Sequence, residues 1–339
     1  MPTLREISKK TGISIATFSR VLNGSESVSG DMKKKVLNAL KKYNYHRTTM
    51  VGKRIKKLVG IVVPDLRGYH YPELTIGIEE ALLKNNYEFF LANTKQQLSK
   101  EIDIISELFE RKADGIVLCT SEKDDAQIKH LLDSAIPVVG VDRKDSEIKI
   151  DSVSIDNYNS TKFAAKYLYD NGHRDILFLE GDPFVYSAIL RKKAFVDFQK
   201  EHDDMTLMFE PGDFEPETGY AGVKNALEKS RQFSAIFFVD DWMAYGGMRA
   251  LYEAGLKIPR DVSVIAFDDA PLSRYMIPGL TTVKQPRFEM GYTAGQLIVN
   301  RISGNEKSKV KRKILLNTEL IIRESVKRIG VLKDKAFSQ

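Results

Sequence analysis

Residues 3–23 read TLREISKKTGISIATFSRVLN, and this run decides how the front of the chain folds. Thr3 and Glu6 have the S/T-x-x-E spacing of a capping box, which predicts a helix starting at Leu4. Leu4 and Ile7 share one face of it. Thr11-Gly12 breaks the helix, because Gly accepts a turn that a bulky residue resists. Ser14 suits the N-cap of a second helix, and Asn23-Gly24 suits its stop. In that second helix Phe18, Val21 and Leu22 recur at i, i+3 and i+4 and point inward, so Ile15, Ala16, Ser19 and Arg20 point outward. A face of small and apolar residues with one Arg suits the floor of a DNA major groove. Arg20 can bond a guanine edge in bidentate fashion, and Ile15 or Ala16 can touch thymine methyls. Ser14, Thr17 and Asn23 are short donors for phosphates, and Thr3 is counted with them. The plainer alternative is a small solvated helical hairpin.

Charge separates this front end from the rest. Residues 1–57 hold 14 Lys and Arg against 3 Asp and Glu, a net +11, while the remainder of the 339 residues carries a net −5. A basic head on a mildly acidic body is the footprint of a DNA-binding module attached to something else. A third helix is predicted from Asp31 to Tyr43, with Val36, Leu37, Leu40 and Tyr43 buried, five lysines wet and Asn44 as its end. No apolar run approaches the roughly 20 residues of a membrane span, and charges interrupt any signal-peptide-like segment at the start. The single Cys119 lies in an apolar run, so it reads as an inert core thiol in a reducing cytosol.

The run ISIATFSRVLNGSESVSGDMKKKVLNALKKYNY resembles the head of the lactose/galactose repressor (LacI/GalR) family. Ser14, Thr17, Ser19, Arg20, Val21, Leu22 and Asn23 match the family's S-x-x-T-x-S-R-V-L-N core. Similar runs follow in family order: LVGIVVPD at 58–65, ADGIVL at 113–118, IPVVGVDR at 136–143, NGHRDILFLEG at 171–181, DVSVIAFDD at 261–269, LTTVKQP at 280–286 and IIRES at 321–325. The resemblance implies a helix-turn-helix domain over 1–46, a hinge over 47–57 and a ligand-binding core over 58–339. It also implies that a hinge side chain wedges into the minor groove. Here Arg47 and Thr48 replace the family's Pro-Asn pair. Ile55 is the candidate wedge, or Arg54 if the alignment shifts by one. Lys53, Arg54 and their neighbouring lysines suit phosphates.

From Leu58 onward strand-like runs at 58–63, 87–92, 114–119 and 137–142 alternate with amphipathic stretches at 73–84, 100–111 and 125–134. A second series has strands near 175–179, 206–210, 234–239 and 262–267 and helices near 158–170, 188–201, 217–229 and 242–254. Such alternation predicts two lobes of α/β fold with doubly wound parallel sheets and a cleft at facing strand ends. The resemblance implies the same body, similar to periplasmic sugar-binding proteins. It divides the core into an N-lobe of about 58–155 and 286–317 and a C-lobe of about 156–285 and 318–330, with crossings near 155, 285 and 318.

Asp142, Asp240-Asp241 and Asp268-Asp269 end predicted strands, and carboxylates at converging tips can each accept from adjacent hydroxyls. Arg191 adds a rigid fork of donors, and Tyr71 and Phe214 can stack on a sugar ring. The resemblance supports Ser187, Arg191, Phe214, Asp142, Asp240, Asp268 and Gln285 one by one as effector contacts. Asp240 stands where relatives often have Asn, which removes a donor and favours an uncharged, hydroxyl-rich ligand. Asp241 reads as a helix N-cap and Asp269 and His173 as turn residues. Trp242 is open between core, interface and stacking. Arg67, Tyr69 and His70 replace small residues and phenylalanines in the loop after the first strand.

No phosphate-binding glycine loop, nucleophile elbow or metal-ligand spacing occurs, so no enzyme and no cofactor is expected. The reading is a cytoplasmic homodimeric regulator, a repressor of carbohydrate genes, that binds double-stranded operator DNA and is controlled by a sugar-like effector. Rivals are a regulator answering to a nucleobase or a partner protein, a sugar-binding transport protein, and a sugar-active enzyme. The tail lacks heptads, so a coiled-coil tetramer is not expected.

Overall fold

A computed structural model describes residues 4–22, 27–43, 45, 57–119, 136–143, 150–304 and 310–329. They fall into two compact units, Met1–Ile55 and Lys56–Gln339. Thr3, Asn23, Asn44, Lys53, Arg54, Ile55, the stretch 125–134 and the end of the tail lie outside the described residues.

The first unit is three helices: α1 (Leu4–Thr11), α2 (Ile15–Leu22) and α3 (Gly30–Lys42). Gly12 takes the turn between α1 and α2 at φ +69°, where a Cβ would be strained. Ser8 Oγ donates to the Ile13 carbonyl at 2.7 Å and braces the same turn. Ile7, Phe18, Val36, Ala39 and Leu40 form the core, with Val21, Leu22 and Tyr43 packed on it. Leu37 departs from the sequence reading, being 56% exposed. The seam of α3 runs through Val36, Ala39 and Leu40 at i, i+3, i+4, and Leu37 lies one step round the helix from it.

The second unit contains two six-stranded sheets. β1 (Leu58–Val63), β2 (Glu88–Asn93), β3 (Gly115–Leu118), β4 (Val138–Val141), β5 (Asp151–Ile155) and β11 (Lys313–Leu316) form one, in the order β11-β5-β4-β3-β1-β2. All its pairs are parallel. β6 (Asp175–Leu179), β7 (Thr206–Glu210), β8 (Ala235–Phe238), β9 (Ser263–Asp268), β10 (Thr281–Lys284) and β12 (Glu319–Ile321) form the other, in the order β12-β10-β9-β8-β6-β7. Only its β10–β12 pair is antiparallel. The helices are α4 (His70–Lys84), α5 (Leu98–Glu110), α6 (Asn157–Asp170), α7 (Tyr186–Lys200), α8 (Pro216–Glu228), α9 (Asp241–Glu253) and α10 (Arg287–Ile302).

In each sheet the strand order reverses beside the first strand, and in such folds ligands bind beyond the carboxyl ends there. The chain passes between the sheets after β5, after β10 and between β11 and β12. Apart from 125–134, which lies outside the described residues, the strands and helices read from periodicity coincide closely with those observed. β5, β10, β11, β12 and α10, which the pattern did not reveal, are the elements flanking these passages.

The strands are near-continuous apolar runs because helices cover both faces. In the second sheet Phe178 stacks on Phe237 with ring centroids 5.1 Å apart. Buried His173 is structural: Nδ1 lies 2.9 Å from Ser234 Oγ and Nε2 3.1 Å from the Lys327 carbonyl. Burial pushes the Cys119 thiol up to about 12, so it is an inert core group. A two-pronged bond from Arg301 to Asp151, at 2.7 and 2.8 Å, ties α10 to β5.

α4 and α10 pack backbone to backbone. A Cβ at Gly291 would lie 1.9 Å from the Leu74 carbonyl oxygen, and one at Gly77 2.1 Å from that of Phe288. Gly291→Ala therefore costs about 1–3 kcal/mol of overpacking. Urea denaturation will show a lower midpoint with unchanged slope, and an unchanged midpoint would contradict this close approach.

Candidate functional site

The surface of α2 is the first place where side chains stand ready for a partner. Ser14 Oγ accepts from the Thr17 backbone N–H at 3.1 Å, capping the helix, and lies 2.8 Å from Thr17 Oγ1. Phe18 is buried, and Ile15, Ala16, Ser19 and Arg20 are exposed. A helix that shows small side chains and one guanidinium to solvent can enter a major groove without steric conflict.

A cavity between the two lobes of the second unit is the other. Its lining includes all eight ligand residues expected from sequence: Tyr71, Asp142, Ser187, Arg191, Phe214, Asp240, Asp268 and Gln285. Topology brings them there. Asp142 follows β4, Asp240 follows β8, and Asp268 ends β9. Tyr71 stands in the first turn of α4, and Ser187 and Arg191 one turn apart at the start of α7. Asp142, Phe214 and Asp268 hold positive φ angles of 52°, 72° and 127°, conformations that side-chain-bearing residues keep only where the surroundings enforce them.

Arg191 organises the charges. It is 3% exposed and lies 3.7 Å from the centre of the Phe267 ring. Its Nε donates to Asn157 Oδ1 at 2.9 Å and Nη1 to the Val239 carbonyl at 2.6 Å. Asn157 in turn reaches Asp142 Oδ1 at 3.4 Å, so a polar chain runs from the tip of β4 to the end of β8. Desolvation penalises the guanidinium, and Asp268, Asp142, Asp240 and Asp241 offset that penalty.

The cap read at Asp241 falls instead on Asp240, which also lines the cavity. Asp240, extended at φ −147°, is the cap of α9: its Oδ1 accepts from Met243 N–H at 2.9 Å. Asp241 is already helical and fully buried, and it accepts from the Ala270 N–H at 2.7 Å and from the hydroxyls of Ser273 and Thr282. Burial and the nearby Asp268 charge push Asp241 up to about 7. Burial, with Asp268, raises Asp240 well above the carboxylate range. Asp269 is a turn residue at φ 53° and also pairs with Arg323 at 2.6 Å.

Sequence reasoning missed several participants. Arg287, buried at the start of α10, donates to Glu73 Oε2 at 2.8 Å and to the carbonyls of Asp268 and Asp269, joining one lobe to the other. Asn157 was equally unmarked, since a lone Asn after a strand carries no signal. Trp242, left open, lines the cavity with its ring 5.8 Å from Tyr245. Arg67 crosses the cavity mouth to Glu215 at 2.7 Å, an exposed pair of little energetic weight.

A profile described as bacterial regulatory proteins, lacI family, matches residues 3–48, and one described as a periplasmic binding protein-like domain matches 165–326. The HTH-type transcriptional repressor PurR of Histophilus somni is 31% identical over 339 residues, covering 97% of this chain and all of that one. The chain belongs to the LacI family. Among solved structures, the transcriptional regulator CelR–cellobiose complex covers 96% of this chain and all of that one at 27% identity and TM-score 0.72. A LacI family transcriptional regulator from Enterococcus faecium with bound ribose covers 81% at 28% identity and TM-score 0.71. This LacI-family chain is thus a transcriptional regulator rather than an enzyme. Among its described residues no helix is long and apolar enough to cross a membrane.

Removing the guanidinium tests how the site is balanced. Arg191→Met leaves the aspartates uncompensated and costs about 3–5 kcal/mol at pH 8. The folded pKa of Asp240, raised by burial and held down in part by Arg191, then rises further above its unfolded value, so the folded state binds more protons and regains stability as pH falls. Denaturation at pH 8, 6.5 and 5 will show the gap to wild type narrowing toward acid. A gap that stays constant or widens contradicts the charge balance.

Proposed function

We propose that this regulator is a cytoplasmic repressor that grips operator DNA with α2 and responds to a sugar-like effector held between its lobes. The observation that carries the effector half is the convergence of Asp142, Asp240 and Asp268, from three strand ends, on one cavity with Arg191. Carboxylates in that arrangement want hydroxyl donors, and a polyhydroxylated ring supplies several at once. Tyr71 and Phe214 offer flat apolar faces to such a ring. The similar structures, a CelR–cellobiose complex and a regulator with bound ribose, fit this class of ligand.

The proposed division of labour puts DNA contacts on residues 1–46, a hinge at 47–57 carrying Lys53, Arg54 and Ile55, and effector sensing on 58–339. Arg20, Ile15, Ala16 and Ser19 read bases; Thr3, Ser14, Thr17 and Asn23 hold phosphates. Two heads are needed to read a near-palindromic site, so the working form is a homodimer. Tyr275 is 73% and Ile277 96% exposed, with Leu272 and Ile322 exposed on neighbouring segments. Apolar surface of that kind suits burial against a second copy. Effector closing the lobes shifts the hinge and couples the two sites by about 1–3 kcal/mol.

A nucleobase is the second reading, favoured by three aromatic residues, Tyr71, Phe214 and Trp242, around the cavity. A thermal-shift screen with monosaccharides, disaccharides and nucleobases separates the two. Stabilisation by sugars supports the proposal, and stabilisation by bases alone overturns its effector half.

Two substitutions test the separation of tasks. Arg20→Ala will lower discrimination between operator and random DNA, costing about 1–3 kcal/mol at one base pair, with effector affinity unchanged. Asp268→Ala will weaken the best sugar of the screen at least about tenfold without changing operator affinity in its absence. Titrations that show either variant losing both activities would contradict the division.

A further inference from the structure

His70 belongs to the cavity but has no part in the contacts so far described. It opens α4 at the end of the loop leaving β1. Its Nε2 is shielded from solvent and has no hydrogen-bond partner, and the same holds for Gln285 Oε1 in the same cavity. Gln285 is not free to turn its amide, because its nitrogen donates to the Asp268 carboxylate. The amide oxygen is therefore an acceptor with nothing to accept. Tyr71 packs edge-on against the imidazole with ring centres 4.8 Å apart and holds its plane. Burial favours the neutral ring, although Asp268 and Asp142 pull the other way. Buried polar atoms are almost always satisfied, and two orphans lining one cavity mark where a ligand completes the structure.

We propose that His70 is a specificity-determining residue of the effector site, its Nε2 hydrogen-bonding one hydroxyl of a sugar while another hydroxyl of that sugar donates to Gln285 Oε1. This rests on the sugar reading of the cavity. A hydroxyl is donor and acceptor together, so it satisfies His70 in either tautomer. Gln285 Oε1 and the carboxylate of Asp142 accept only from donors, which a hydroxyl-rich ring supplies all round. A site built this way rejects an analogue that lacks the hydroxyl facing His70, because the imidazole is then left buried and unpaired.

The test compares wild type, His70→Leu and His70→Gln by calorimetric titration with D-ribose and with hypoxanthine, and by melting without ligand. His70→Leu should weaken D-ribose at least about tenfold, and His70→Gln, which keeps a polar group, should restore most of the loss. Without ligand His70→Leu should melt no lower than wild type, since the deleted nitrogen had no partner. Equal D-ribose affinity in His70→Leu and wild type overturns the role of His70 while leaving the sugar reading standing. Binding of hypoxanthine in place of D-ribose overturns the sugar reading and with it the hydroxyl at His70. A ligand-free His70→Leu that melts several degrees below wild type overturns the proposal whichever probe binds, because Nε2 would then have a structural partner.

Discussion

A guanidinium sealed between two protein lobes is costly unless it is surrounded by acceptors, and Arg191 sets that requirement here. It is answered by Asn157, by the Val239 carbonyl, by the face of Phe267 and by the aspartates at three strand ends. The hydrogen-bonding and stacking partners share its lobe, and Asp142 acts on it from the other. Of these groups Asp142, Asp240 and Asp268 also line the cavity, so the structural need and the proposed binding surface share residues. Under the proposed function, a ligand that donates to those carboxylates joins this network and biases the position of the lobes.

Polar links cross between the lobes near this centre. Arg287 links Glu73 to the carbonyls at the end of β9, and Arg67 spans the mouth to Glu215. Within the first lobe, by contrast, α4 and α10 are locked by glycines that bring their backbones together. Under the proposed function, lobes joined by three chain passages suit hinge motion, since packed cores repack in steps rather than bend. Such motion is the physical route by which a cavity could be felt at the head.

Much of this was legible in the chain because the signals are local. Strands of Val, Ile and Phe between amphipathic helices fix the doubly wound sheets, and Asp142, Asp240 and Asp268 are visible as the polar residues that end them. Ser14 and Gly12 show the turn of the helix pair directly. What stayed hidden depends on sequence-distant pairing. Whether Asp240 or Asp241 caps α9 turns on one residue of helix phase. Arg287 and Asn157 act only because the chain passes between lobes beside them, and α10 itself sits among elements whose partners lie more than a hundred residues away. Leu37 looked buried because periodicity gives a stripe, not its exact centre.

The direct test of communication between cavity and head is reciprocal linkage. Operator affinity would be measured by fluorescence anisotropy with and without the sugar selected by the thermal-shift screen, and sugar affinity with and without operator. Linkage requires both to change by the same factor, about 5–150-fold for a coupling of 1–3 kcal/mol. Two affinities that each ignore the other ligand would contradict an allosteric regulator and leave two unconnected binding sites on one chain.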